Sequence, residues 1–572
     1  MGGRGGRYKL GAERYERVWG AGGVGISWEQ RDMREYGGVG ISWEQRDMKA
    51  RENGEQKEYV EVWDGCADQP LHRMLIMPAP PPPMLFLCCR PSDSGRAVTL
   101  PDRAVPASPL VLVHLDLKGA PPKVSYLAEV LPLFSALGAT GLLIEYEDTF
   151  PYYGELLPLR APHAYSPQEI REILRLAQSC QLEVIPLVQT FGHMEFVLKH
   201  KEFAHLREVE AFPNTLNPHK EQSLPLVQAM IGQVMELHPD ARWLHVGSDE
   251  VYCLGEGNES KEIMANTQIT VEEIFLHHLK SVTSHVASTF PGVRPIAWDD
   301  MIRAANEQAL TESGVAPLVE LMLWDYSPDL DVDNKVATVA KYKQSGFQKI
   351  WFASAFKGAT GVREQLTSIN HHLGNNSQWL KVAGKIPKEL LQGIALTGWQ
   401  RYDHFSVLCE LLPVALPSVA VCLQFLKHGE YSDQVMEQVK SFLGMTELEN
   451  LASKCSGSFP GSKVFSLITQ LMCNLRPELN ELLGENRYVA GWFSPYHRRI
   501  NVISPLMVQE IQPATTSLMS RWQTLHDELQ NELLQIYPPS AVAEWMEVNV
   551  LPWYLQLKKL AEELNAALQN PL

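Results

Sequence analysis

Asp249 and Glu250 stand side by side at the end of a hydrophobic run, in the segment His245-Val246-Gly247-Ser248-Asp249-Glu250-Val251, with Tyr252 next. Adjacent carboxyls are the raw material of acid/base chemistry, because one can hold a proton for a leaving group while the other carries charge. Inside a strand neighbouring side chains point to opposite faces, so these two can share a pocket only where the pleat ends. An Asp-Glu pair also suits the first turn of a helix, where carboxylates meet the positive end of the helix dipole. The surrounding sequence decides between the two readings.

From Leu110 onward, eight apolar, often β-branched runs alternate with helix-like stretches: 111–117, 141–148, 182–190, 243–250, 294–300, 318–326, 349–356 and 393–399. The intervening helical candidates include 124–137, 167–177, 224–237 and 271–288. Strands covered on both faces read as almost continuous apolar segments, as these do. Such alternation predicts an α/β architecture, a (β/α)8 TIM barrel over residues 109–430. In that architecture function gathers at the C-terminal ends of the strands. Here those ends are polar: Asp116, Glu145 to Asp148, Gln189, Asp249-Glu250, Asp299-Asp300, Trp324-Asp325-Tyr326 and Trp399-Gln400-Arg401.

Beyond the barrel, amphipathic patterns at 435–443, 463–475, 515–536 and 541–568 predict an all-α region over 431–572, packed on the barrel or serving a homodimer. Before it, the block from Gly22 to Met33 recurs unchanged from Gly37 to Met48, and two copies are too few and too short for a solenoid. Residues 1–108 therefore read as a disordered leader with a duplicated segment.

A formal net charge of −17 argues against a nucleic-acid partner, since such binding relies on clustered Lys and Arg. The nine cysteines show no zinc-type spacing and read as reduced thiols. Met74 to Cys89 is apolar but broken by Pro78 and Pro80 to Pro83, so no membrane span or membrane partner is expected. No secretory pattern opens the chain, which points to the cytoplasm or nucleus.

The motif His245-x-Gly247-x-Asp249-Glu250, in a barrel with tryptophans at later strand ends, resembles glycoside hydrolase family 20, the β-N-acetylhexosaminidases. The phrases 113–119, 189–195 and 398–404 extend the likeness over His114 to Asp403. The resemblance implies a substrate-assisted reaction without cofactor or metal, acting on a glycoconjugate with a terminal N-acetylhexosamine. It makes Glu250 the general acid/base and Asp249 the group that orients the acetamide, whose charge would help keep Glu250 protonated. His193 matches a histidine beside the acid, Glu147 a carboxylate completing that network, and Trp324 and Trp399 pocket walls. Tyr326, ahead of Tyr402, is expected to meet the acetamide oxygen; Trp298 and Trp351 stay open between pocket and core. Two departures stand out. Ser248 replaces the second glycine of the usual Gly-Gly, and Gln400-Arg401 follow Trp399 where relatives carry a Glu for sugar hydroxyls.

Two rival readings remain. In one, Glu147, Asp249, Glu250 and Asp299 hold a divalent cation in a metal-dependent hydrolase. In the other, the barrel binds sugar without cleaving it.

Overall fold

A computed structural model describes residues 109–448 and 457–569. The predicted leader with its duplicated segment lies outside them. Eight parallel strands close into a barrel in sequence order: Leu110–Asp116, Gly141–Glu145, Glu183–Leu187, Trp243–His245, Arg294–Trp298, Glu320–Trp324, Ile350–Lys357 and Leu391–Gly398. Closure comes from pairing of the first strand with the last, Leu110 opposite Gly393 through Val113 opposite Leu396. All eight predicted runs become strands, and the polar tails of the second to sixth runs belong to loops instead.

Outer helices cover the ring at Val124–Leu137, Pro167–Ser179, Ser223–Leu237, Val271–Thr289, Glu307–Ser313, Val332–Gln344, Ile369–Lys385 and Leu412–His428. Local chemistry sets several of their starts. Ser166 with Glu169, and Thr270 with Glu273, form reciprocal capping boxes that satisfy otherwise orphaned backbone donors. After the third strand an antiparallel pair, Arg207–Val209 and Phe212–Leu216, is inserted before the helix; the sequence reading did not anticipate it.

The barrel interior is a packed plug of Leu112, Leu143, Ile185, Ile296, Met322 and Ala395 around three buried tryptophans. Trp243 and Trp351 donate their indole N–H groups to one buried carboxylate, Glu320, at 3.1 and 2.7 Å. Trp351 is therefore core, at the closed end. Trp298 sits above it, and Trp324 and Trp399 pack on the top of the plug. A stack of indoles thus runs from core to rim, so the ring's own packing fixes the floor of whatever lies at the top.

The helices after residue 431 pack on the barrel through Pro505–Ile536, which begins ten residues before the predicted start at Thr515 and runs through Pro513. Pattern 541–568 is in fact two helices, Pro539–Asn549 and Leu551–Gln569, divided ahead of Pro552. Lys123 donates its backbone N–H to Ile536 at 2.7 Å, and Glu544 reaches the rim to pair with Arg401 at 2.7 Å. No helix among the described residues is long and apolar enough to cross a membrane.

Candidate active site

The fourth barrel strand ends at His245, and the chain then turns sharply. The buried His245 ring stays neutral, its pKa pushed down to about 3 by burial, so its Nδ1 accepts the Gly247 N–H at 3.0 Å. Gly247 and Ser248 take left-handed φ values of 62° and 72°, and Glu250 a φ of 44°. For a residue with a side chain this conformation costs roughly 1–3 kcal/mol and persists only where the surroundings enforce it. The result is that Asp249 and Glu250 both turn over the same hollow at the C-terminal end of the barrel.

The hollow holds about 720 Å³ out to its open mouth. Trp298, Trp324, Tyr326 and Trp399 form its aromatic side; Gln189, His193, Lys118, Glu145, Arg401 and Tyr402 supply its polar groups. Trp324 stacks on Tyr326 with centroids 5.4 Å apart, and the Tyr326 hydroxyl accepts the Trp399 indole N–H at 3.0 Å. Trp298 packs against Trp399 and so belongs to the pocket as well as to the core.

Each carboxyl has its own partners. Asp249 accepts from the Gln189 amide at 3.1 Å, while Glu250 accepts from the Tyr402 hydroxyl at 2.9 Å and faces His193 Nε2 at 3.2 Å. The Asp249 carboxylate is 3.6 Å from that same Nε2, so one imidazole spans both acids. Burial, reinforced by Asp300, Glu250 and Glu145 and opposed by His193, pushes Asp249 up to about 7. Burial works to raise Glu250 too, but the His193 hydrogen bond and charge, with Tyr252 and Tyr402, outweigh it and hold Glu250 below its ordinary value. His193 is moved well above its usual range: burial opposes its charge, and Asp249 and Glu250 overcome that. Without substrate, then, Asp249 keeps its proton to higher pH than Glu250 does. This reverses the order expected from the sequence, because the imidazolium lies nearer the glutamate.

Residues 137–350 match the profile "Glycosyl hydrolase family 20, catalytic domain". The chain is 56% identical over 463 residues to human Hexosaminidase D, covering 81% of this chain and 95% of that one. It is 62% identical over 341 residues to Hexosaminidase D of Bos taurus, 60% of this chain and 99% of the relative. The chain belongs to glycosyl hydrolase family 20. Among solved structures, the β-N-acetylhexosaminidase of Bacteroides fragilis is 14% identical with a TM-score of 0.45, over 59% of this chain and 70% of that one.

Within this family 20 barrel, six of the seven residues singled out in the sequence surround the hollow: Asp249, Glu250, His193, Trp324, Tyr326 and Trp399. Glu147 does not join them. It is held by Lys118 at 3.8 Å and by His404, and Glu195 is the carboxylate whose charge reaches His193. The second strand ends two residues before Glu147, so Glu145 faces the pocket and Glu147 turns into the neighbouring loop. Glu145 is held below its ordinary range by Lys118 and His114 against its burial.

The four oxygen ligands of the metal reading also separate. Asp299 is bound by Arg303 at 2.6 and 2.8 Å and by Tyr342 at 3.0 Å, away from the pair. Ser248 is accommodated because its hydroxyl sits 3.1 Å from that of Thr190 and donates to the Val246 carbonyl at 3.2 Å. Gln189 and Asp300 were read only as polar strand ends and Tyr402 only as the alternative to Tyr326, so the contacts each makes with the acidic pair were missed.

Gly192 passes under the acidic turn so closely that an added Cβ would collide with the Asp249 carbonyl oxygen. Gly192→Ala should lower kcat/KM by roughly 10–100-fold, the equivalent of about 1–3 kcal/mol of overpacking strain. Kinetics of the purified variant check this; wild-type kcat/KM would mean that the turn has slack.

Proposed function

We propose that this family 20 hydrolase removes a terminal β-linked N-acetylgalactosamine or N-acetylglucosamine from glycoconjugates, as an exo-acting retaining enzyme using the substrate's own acetamide. The observation that carries this reading is the convergence of Asp249 and Glu250 on one tryptophan-walled hollow. A pocket floored by indoles suits the apolar face of a single chain-end sugar.

The acetamide carbonyl oxygen attacks the anomeric carbon while Glu250, protonated, gives its proton to the glycosidic oxygen, and the C–O bond breaks to leave an oxazolinium. Anionic Asp249 accepts the acetamide N–H and offsets the developing positive charge. Glu250, now a carboxylate, takes a proton from water as that water attacks the anomeric carbon, the oxazolinium opens, and two inversions give net retention. Tyr326 supplies the hydroxyl for the acetamide oxygen, since Tyr402 is already committed to Glu250 and to Tyr252 at 2.7 Å. Residues alone account for every proton, so the scheme calls on no metal or cofactor.

The resting proton order requires a shift when substrate arrives. An acetamide N–H presented to Asp249 favours its ionised form, and His193, within reach of both acids, can pass the displaced proton to Glu250. A sugar-fused mimic of the oxazolinium should inhibit competitively and bind at least about 100-fold more tightly than substrate, as measured by inhibition kinetics. Equal turnover of the matching glycoside with a plain 2-hydroxyl would remove the acetamide from the mechanism.

A further inference from the structure

The left-handed turn at Glu250 needs something to enforce it, and one bond comes from a carboxylate behind the pocket wall. Asp300, two residues past the fifth strand, accepts the Glu250 backbone N–H on Oδ2 at 2.9 Å. Its other oxygen, Oδ1, accepts the Trp324 indole N–H at 3.1 Å. Asp300 does not line the hollow; it stands behind two groups that do. Arg303 braces the same wall, with its guanidinium 4.8 Å over the Trp324 ring and donating to the Trp324 carbonyl at 2.7 Å, while also pairing with Asp299.

We propose that Asp300 is a positioning residue, a two-oxygen clamp that ties the backbone of the acid/base Glu250 to the sugar-facing indole of Trp324. This rests on the role given to Glu250 above. Only an acceptor on each oxygen satisfies two N–H donors arriving from different strand ends, and the carboxylate is the side chain that provides both. The bond to Glu250 holds a backbone conformation that an L residue rarely adopts, which sets where the carboxyl points. The bond to Trp324 fixes the plane on which the sugar lies. Linking the two keeps the acid at a constant distance from the glycosidic oxygen of a sugar seated on that plane, the kind of placement on which proton transfer depends.

The clamp predicts a loss graded by leaving group. Asp300→Asn keeps the shape but presents an NH2 to one of the two donors. It should lower kcat/KM on alkyl N-acetylhexosaminides by about 10–100-fold and on a dinitrophenyl N-acetylhexosaminide, where kcat/KM reports only the departure of the leaving group, by less than about threefold. A poor leaving group needs the proton that Glu250 delivers, and a good one does not. KM should change less than kcat. Trp324→Phe, which removes the indole N–H together with part of the ring facing the sugar, should raise KM more than Asp300→Asn does, and the double variant should lose less in kcat than the product of the two single effects.

Equal losses across the leaving-group series would reduce Asp300 to a structural role and overturn the proposal, as would wild-type kinetics in Asp300→Asn. Circular dichroism and thermal melting of both variants separate misfolding from misplacement. Wild-type protein and Glu250→Gln run in the same series keep the two readings apart. A wild type indifferent to Glu250→Gln defeats the acid/base assignment itself, whereas a wild type sensitive to it beside a fully active Asp300→Asn defeats only the clamp.

Discussion

Glu250→Gln is expected to lower kcat by about 100- to 10,000-fold on N-acetylhexosaminides with alkyl or sugar leaving groups, the range that a positioned general acid supplies. The amide keeps the size of the side chain and can still take the Tyr402 hydroxyl hydrogen bond seen at 2.9 Å, so the pocket should stay formed. What it cannot do is deliver a proton or later remove one from water. On a dinitrophenyl glycoside the first step needs no acid, and the deficit moves to the second, where water must be deprotonated. The loss should therefore shrink with leaving-group ability without vanishing, and a burst of dinitrophenol would mark accumulation of the intermediate. A uniform loss across leaving groups, or none, would remove Glu250 from the acid/base role. The oxazolinium mimic should bind Glu250→Gln nearly as well as wild type, because its charge is met by Asp249.

Much of this was readable in the residue order because barrel strands advertise themselves. A strand covered on both faces has no polar alternation to blur it, so the eight apolar runs stood clear of the helices between them. The rim was readable too, since a polar cluster ending each run has no place in such an interior. What stayed hidden depended on backbone conformation at single residues. Glu145 and Glu147 are equally acidic and equally near the second strand's end, but the strand stops at Glu145 and Glu147 takes a φ of 46°, which sends the two carboxyls to different partners. The partners of Asp300 come from the fourth and sixth strand ends, and no spacing along the chain reveals that they meet. The resting proton order was equally out of reach. Asp249 and Glu250 are neighbours in sequence, and only the 3.2 and 3.6 Å distances to one imidazole show which of them it favours.

Asp249→Asn should combine a large loss of activity with a gain in stability whose size depends on pH. Loss of the anion that meets the acetamide N–H and the oxazolinium should cost about 100- to 1,000-fold in kcat, the usual scale for removing one preorganised charge-stabilising group. The stability change has the opposite sign. The Asp249 carboxyl rises from 3.8 to about 7 on folding, so the native state holds its proton more tightly than the unfolded chain. Below pH 4 both states are protonated and folding pays nothing for the burial. As pH climbs from about 4 to 7 the unfolded chain gives up its proton first, and the native state loses ground until its own carboxyl ionises; above pH 7 the penalty is constant, on the order of 4 kcal/mol at most. Asparagine does not titrate, so the variant escapes this penalty, while Glu250 still holds His193 at 3.2 Å and leaves no imidazolium unpaired. Thermal melts should therefore coincide near pH 4 and separate in favour of Asp249→Asn as pH rises, by roughly 2–8 °C above pH 7. The same ionisation should appear as the basic limb of kcat/KM in the wild type, with activity falling as pH rises above about 7 and the pair loses the proton that has to reach Glu250. Melting curves that keep a constant separation across that range, or a variant less stable than wild type at pH 8, would show that Asp249 is not held against its ionisation. The strain that makes this aspartate useful to an oxazolinium would then have to lie elsewhere in the turn.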